Sequence, residues 1–345
     1  MMKLLPLIPK NRPLLLLAPM QDVTDLSFWH VLHKYGGPDV YFTEYLRVHR
    51  DSTPEKYIVG AIRNHTTGRP AIVQMIGEHI PALVRTARFL EKLPVAAIDL
   101  NMGCPAPIVC KKSAGGGLLR QLDHVREILK ALCETISIGF TVKTRIGFES
   151  PDEFDAILEV FADFPLDGLT IHGRTVKEMY RSHVHYDRIA TAVARLPYPV
   201  FANGSILSPE TAWEVTRSTQ AAGLMIGRGC IRNPWIFSQI DARFTGREVY
   251  VPTLRDALGY VALLYENTAV PHLAEKFRVS RMKKYMAFIT QGMSEEFWLE
   301  LRTATTEKDF FTVCTRYLDS TEPFQPEPGM RHLRNSGNPR LECYA

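Results

Sequence analysis

Short apolar runs recur along the first two thirds of this chain, at residues 14–18, 40–42, 71–75, 97–100, 139–143, 168–172, 199–202 and 223–226, each bounded by Gly, Pro or polar residues. A run that stays apolar instead of alternating is what a strand buried on both faces requires. Between the runs lie stretches of helical periodicity, at 80–93, 122–135, 151–164, 186–195 and 208–218. Ser208-Pro209-Glu210 opens the last of these with a capping serine, a proline in the first turn and an acid near the positive end. Eight strands alternating with helices over about 225 residues predict a (β/α)8 TIM barrel of the α/β class. The competing arrangement, an open doubly wound sheet, has fewer strands and a G-x-G-x-x-G turn after the first. Here the first run ends in Ala18-Pro19-Met20, which favours the barrel.

The rhythm changes near residue 240. Residues 241–252 are polar with little periodicity and mark a boundary, while 254–267, 274–290, 295–302 and 307–318 again have helical spacing. The expected organisation is a catalytic barrel over 1–240, a small all-helical domain over 253–320 and a flexible tail over 321–345, where Pro, Gly, Asn and Arg replace apolar residues. With 345 residues, 46% of them hydrophobic, the chain can bury one large core and a smaller one. A formal charge of only +4 excludes a bulk field, so any anion must be held by local patches. Six scattered cysteines without a C-x-x-C pair, and no signal-peptide pattern, point to a reducing, cytoplasmic compartment. The run at 14–18 is too short to cross a bilayer, so no membrane partner is expected.

The working face of such a barrel is built at the carboxyl ends of its strands. Those ends read Pro19-Met20, Thr43-Glu44, Gln74, Asn101, Lys143 with Arg145, His172, Asn203-Gly204 and Gly227-Arg228. All deliver a polar, small or cyclic residue, which an inert barrel has no reason to do. The loops Asn203-Gly204-Ser205 and Gly227-Arg228-Gly229 follow the last two strands, where barrels often bind phosphate. Glycines there also serve ordinary tight loops, but two on adjacent strands, one with an arginine, favour an anion site. A phosphate-anchored ligand beside Gln74, Lys143 and His172 points to a cofactor. Lys143 places positive charge near a ring that becomes anionic, as reduced flavin does, and the Gln74 carboxamide can bond its polar edge through both groups. Taken alone, Lys143 also fits a Schiff-base lysine.

Cys104 stands where the fourth run breaks into a loop, between Gly103 and Pro105. A thiol of ordinary pKa, about 8.5, keeps its proton at neutral pH, so it can act as a general acid or, once ionised, as a nucleophile. Cysteines are commonly buried and structural, but Gly and Pro at a strand exit argue for an accessible one. Cys110 in the same loop is either a spectator or a disulfide partner under oxidation. His172, His183 and His185 carry no H-E-x-x-H pattern or carboxylate set, so no metal is expected, and His183 and His185 belong to a surface loop near the substrate.

Six motifs in one order, Ala18-Pro19-Met20, Leu100-Asn101-Met102-Gly103-Cys104-Pro105, Lys143-Thr144-Arg145, His172-Gly173-Arg174-Thr175, Asn203-Gly204-Ser205-Ile206 and Gly227-Arg228-Gly229, together resemble the tRNA-dihydrouridine synthase family. The likeness covers residues 14–290. It implies an FMN-bound barrel with NADPH as reductant and a helical domain that binds tRNA. It places FMN on the backbone of Ala18, Pro19 and Met20, with Gln74, Lys143 and His172 at its ring and ribityl region. Asn203, Gly204, Ser205, Gly227 and Arg228 would hold its phosphate end. Cys104 is implied as the proton donor at C5 of uracil, with hydride arriving at C6 and the base extruded from its stack. Asn101 and Arg145 would lie beside the base, and Glu44 among the substrate contacts. Residues 43–48 and 175–186 look most like the bacterial branch that modifies uridine-16.

Lys276, Arg278, Arg281, Lys283 and Lys284 cluster in one helical stretch, whose Val279, Met282, Met286 and Ile289 form an apolar stripe. Arg281 and Lys284 are expected to face solvent opposite that stripe. Such runs are usually solvated faces, but an RNA substrate makes them phosphate contacts, with Lys111, Lys112 and Arg120 extending the track. A monomer is expected. A flavin barrel reducing a free pyrimidine or a small enone is the competing enzyme, and it leaves the basic helices idle. A non-catalytic RNA-binding barrel would lack Cys104, Lys143 or the Gly227-Arg228 loop, and all three are present.

Overall fold

The computed structural model describes residues 3–268 and 274–324, and its frame is a ring of eight parallel strands. These are β1 (Leu14–Leu17), β2 (Tyr41–Arg47), β3 (Ala71–Ile76), β4 (Ala97–Met102), β5 (Gly139–Arg145), β6 (Gly168–His172), β7 (Val200–Asn203) and β8 (Gly223–Ile226). Pairing runs in the order β1-β8-β7-β6-β5-β4-β3-β2. The last seam, between β1 and β2, is closed by a parallel bridge between Leu16 and Val40. Asp39 staples it from below: its carboxylate accepts the Leu15 N–H at 2.9 Å and both Nη groups of Arg12, at 2.6 and 2.8 Å. The expected TIM barrel is the observed fold.

The helices are α1 (Leu26–Lys34), α2 (Lys56–Asn64), α3 (Ile80–Leu90), α4 (Pro107–Cys110), α5 (Leu122–Thr135), α6 (Phe154–Ala162), α7 (Tyr186–Arg195), α8 (Pro209–Thr219), α9 (Arg228–Arg232), α10 (Ile236–Thr245), α11 (Leu254–Thr268), α12 (Glu275–Ile289), α13 (Glu295–Thr303) and α14 (Glu307–Leu318). Ser208 caps α8 as its sequence predicts, in a reciprocal capping box with Thr211. Inside the ring, Leu14, Leu16, Phe42, Ile72, Phe201 and Met225 make an apolar floor. Continuing the strand alternation upward brings Gln74, Asp99, Thr141, Lys143, Thr170, His172 and Asn203 into the lumen above it.

β2 is longer than its apolar run and carries a bulge. Phe42 pairs with Ile72, yet Tyr45 rather than Glu44 stands opposite Gln74. One extra residue flips everything beyond it to the other face. α10 runs into the stretch expected to be a boundary and ends at Gly246 in the left-handed conformation (φ +71°).

α11 packs on α1, and α12 on α9. The Tyr285 ring stacks on Phe28 with centroids 5.7 Å apart, and its hydroxyl donates to the Val23 carbonyl at 3.2 Å. Beyond α14 the chain returns to the start of α11: Thr253 bridges Pro323, and the Phe324 side chain is buried. Residues 321–324 are therefore pinned, and the remainder of the expected tail, 325–345, lies outside the described residues. Among the described residues, no helix is long and apolar enough to cross a membrane.

Candidate active site at the barrel mouth

A cavity opens above β1, β5, β6, β7 and β8, lined by Ala18–Met20, Lys143, His172, Tyr180, 203–207, Met225 and 227–229. Eleven residues were expected to contact a cofactor, and ten of them line it; the exception is Gln74. The turn after β7 places Gly204 at φ +124° and Ser205 at φ +49°. A side chain at 204 would be strained at that φ and would press on Val184 at 3.2 Å. Asn203 ties the β7 loop to β8 by donating from Nδ2 to the Met225 carbonyl at 2.8 Å. Tyr186 donates to the Gly204 carbonyl at 2.6 Å, and Arg174 Nη2 donates to Ser205 Oγ at 3.0 Å. On the opposite wall, the Ala18 N–H is committed to Ile226 and the Met20 N–H to Thr24 Oγ1. The Met20 carbonyl in turn accepts from Val23 and Thr24, so this wall offers mainly surface rather than donors.

The cavity's electrostatics point one way. Burial, then Arg145, lowers Lys143 to about 8, against the pull of Asp99 and Cys104. Burial, then Arg145, Lys143, Arg174 and Arg228, holds His172 well below its ordinary value, so its ring is neutral, and its buried Nδ1 has no hydrogen-bond partner among the described residues. Burial and Arg228 bring Arg174 down to about 10, and its Nη1 is likewise buried without a partner. Arg228 is lowered by burial. Cations that remain depressed after their neighbours are counted favour an anionic ligand, because its charge relieves all of them together. An orphaned Arg174 donor and an unpartnered His172 ring nitrogen beside a glycine cradle fit a phosphorylated, ring-bearing cofactor.

Cys104 is half-buried, and its backbone is held from several sides. Asn101 Oδ1 accepts its N–H at 2.9 Å and that of Gly103 at 3.1 Å. The Cys104 carbonyl accepts the Gly116 N–H at 3.0 Å and the Cys110 thiol at 3.4 Å. Arg145 Nε donates to the Gly103 carbonyl at 2.9 Å. Cys110 is thus a buried thiol bonded to the Cys104 main chain rather than to its sulfur.

Several expected contacts are engaged elsewhere. Gln74 is fully buried, with Nε2 donating to Asp99 at 2.8 Å and Oε1 accepting from Asn101 at 2.8 Å, one bond at each end of its amide. Both ends of Asn101 are also used, which makes it a support for Cys104. Arg145, only 2% exposed, donates from Nε and Nη1 to the carbonyls of Gly103, Thr175 and Met179. The β2 bulge sends Glu44 to a neighbouring pocket with Thr24, Asp25, Trp29 and Tyr57. Burial, then Asp25 and Asp22, raises Glu44 to about 7. Arg281 is only partly exposed, at 25% of its side chain, and its guanidinium pairs with the Asp25 carboxylate, the cap of α1. Lys284 is half-buried on the same helix. His185 bonds Glu178 at 2.9 Å, and no metal-holding cluster occurs among the described residues.

Two further residues belong to the cavity's surroundings. Arg174 sits within a quoted motif, two residues past a strand end, and that spacing was its signal. Tyr180 gave none. It is held between Arg145 and Arg228, at 5.0 and 4.7 Å from its ring centre, with His172 edge-on at 5.8 Å.

A family model described as "Dihydrouridine synthase (Dus)" matches residues 16–320. A probable tRNA-dihydrouridine synthase of Helicobacter pylori strain J99 is 38% identical over 245 residues, covering 67% of this chain and 71% of that one. The tRNA-dihydrouridine synthase B of Vibrio cholerae is 34% identical over 262 residues, covering 73% and 80%. Histamine dehydrogenase from Rhizobium sp. 4-9 superposes with TM-score 0.52 at 13% identity, over 76% of this chain and 51% of that one, a likeness of fold alone. With the family model spanning the barrel and the helices beyond it, this chain belongs to the dihydrouridine synthase family.

Proposed function

We propose that this protein reduces a uridine in the D loop of tRNA to 5,6-dihydrouridine, with FMN at the barrel mouth, NADPH as reductant and Cys104 as proton donor. The observation that carries the reading is positive charge gathered around one cavity: Lys143 and Arg228, both half-buried, line it, and the buried Arg174 backs Ser205. Cys104 follows β4, on which Asn101 pairs with Lys143 of the neighbouring β5.

The loops at 203–205 and 227–229, with Arg228 and Arg174, would hold the phosphate, and Lys143 and His172 would face the ring. When bound, the reduced flavin supplies hydride to C6 of the uracil C5–C6 double bond. Lys143 holds positive charge where negative charge accumulates. Cys104 gives its proton to C5 and is left as a thiolate, which must regain a proton before the next turnover. Asn101 and Gly116 keep the Cys104 backbone in place meanwhile. Position 16 is the target that residues 43–48 and 175–186 favour.

Mapping dihydrouridine in tRNA from a strain lacking this gene tests the reading. One D-loop position should lose the modification and regain it with the wild-type gene. Cys104→Ala should not restore it, although the purified variant keeps its yellow flavin. Restoration by Cys104→Ala would remove the proton-donor role, and a colourless wild-type preparation would remove the flavin. Comparing oxidation of NADPH and NADH by the purified enzyme tests the reductant.

A further inference from the structure

Asp99 lies in the barrel lumen with no exposed surface, and none of the roles above uses it. One oxygen accepts the Thr141 hydroxyl at 2.6 Å, and the other accepts Gln74 Nε2 at 2.8 Å. Gln74 Oε1 then accepts from Asn101 Nδ2 at 2.8 Å, and Asn101 Oδ1 accepts the N–H groups of Gly103 and Cys104. The sense of this chain is set by chemistry, because the outline of a carboxamide is nearly the same when it is turned over. An ionised carboxylate only accepts, so Gln74 must turn its NH2 toward Asp99. Its oxygen is left for the Asn101 NH2, and the Asn101 oxygen is left for the main chain at Cys104. Reversing Gln74 alone would set oxygen against carboxylate and NH2 against NH2.

We propose that Asp99 is a positioning residue for the reaction: through the ordered amides of Gln74 and Asn101, it fixes the backbone that carries Cys104. The inference rests on the reading of Cys104 as proton donor. Asp99 is suited to the task because it stays mostly ionised at neutral pH. Burial raises it only to about 6, with the bonds from Thr141 and Gln74 and the charge of Lys143 holding it down. A neutral acid at 99 would donate as well as accept, and the order of the relay would no longer be unique. Arg145 and Gly116 grip the carbonyls of 103 and 104, while this relay grips their N–H groups.

The test is a double-mutant cycle. Asp99→Ala, and Asp99→Leu to keep the volume, are crossed with Asn101→Ala. Each single variant should lose about tenfold to a hundredfold in kcat, with KM for tRNA changed less than about twofold. With Asn101→Ala already present, the Asp99 substitution should add almost nothing, because the relay is already cut. The same cycle, read as the rate of Cys104 alkylation by iodoacetamide, needs no tRNA. A loosened loop should raise that rate about threefold or more, again without additivity. Should neither Asp99 variant fold, Gln74→Met cuts the relay in its middle and takes both readouts. Unchanged kcat and alkylation in any soluble variant, or losses that multiply in the double variant, overturns the relay. If alkylation follows the cycle while no dihydrouridine forms, the relay stands and the functional reading falls.

Discussion

Burial and Arg145 hold the Lys143 ammonium down to about 8, while Asp99 and Cys104 pull it back up. Its pKa in the unfolded chain is near 10.4, so as pH falls the unfolded chain protonates first, and folding pays for the buried charge below about 8. That charge should be recovered in anion binding. Below about 8 the ammonium would be present to meet the proposed FMN, and above it the free site would first have to take up a proton. Wild-type affinity for FMN should therefore fall as pH rises past 8, approaching one log unit per pH unit. Lys143→Met should bind more weakly, without that slope. Flavin fluorescence titrations from about pH 7 to about 9.5 check this, and a flat wild-type profile removes Lys143 from the cofactor site. Lys143 was found because a strand end can be read from an apolar run stopping. Gln74, Asn101 and Arg145 were found by the same rule, but their partners lie on other strands or loops and could not be read. Tyr180 had no periodicity around it at all; only the folded positions of Arg145 and Arg228 make it part of the site.

Asp25 joins two elements. Its side chain accepts the Phe28 N–H at 3.0 Å at the start of α1 and pairs with Arg281 of α12. Asp25→Asn keeps an acceptor for the cap and loses only the charge, whereas Asp25→Ala loses both. Urea unfolding should show a loss of about 1–2 kcal/mol for Asp25→Ala and under about 1 kcal/mol for Asp25→Asn, with m unchanged. Equal losses would mean that the ion pair outweighs the cap. At this scale the alternation of strands and helices was legible, because strands buried on both faces cannot hide their apolar runs. α5, α7 and α14 begin and end where their periodicity does. β2 was read short because Thr43, Glu44 and Tyr45 interrupt its apolar pattern, and the bulge that places Glu44 outside the lumen leaves no mark in composition. α1 and α2 were passed over, and α10 crosses the stretch read as a boundary.

The α1–α12 contact also sets what the molecule can offer to RNA. With Arg281 committed to Asp25, substituting it would confuse lost binding with a weakened seam, so the RNA track is better tested elsewhere. Lys111 and Lys112, directly after α4 and a few residues beyond Cys104, are both exposed. Lys276 is exposed at the start of α12. A modest net charge makes such local cations the means of holding a polyanion, and each phosphate they neutralise releases counterions. The dependence of log affinity on log salt should therefore flatten by roughly 0.7–0.9 for each phosphate contact removed. Lys111→Ala with Lys112→Ala should lower the slope by between about one and two such steps and weaken tRNA binding most at low salt. Flavin content should stay the same, because neither residue lines the cavity at the barrel mouth. Filter binding at four or five salt concentrations measures the slope. A parallel shift of the line, weaker but equally steep, would mean that these lysines shape the loop beside Cys104 without touching RNA. An unchanged line would move the RNA path off that loop and toward the face that carries Lys276.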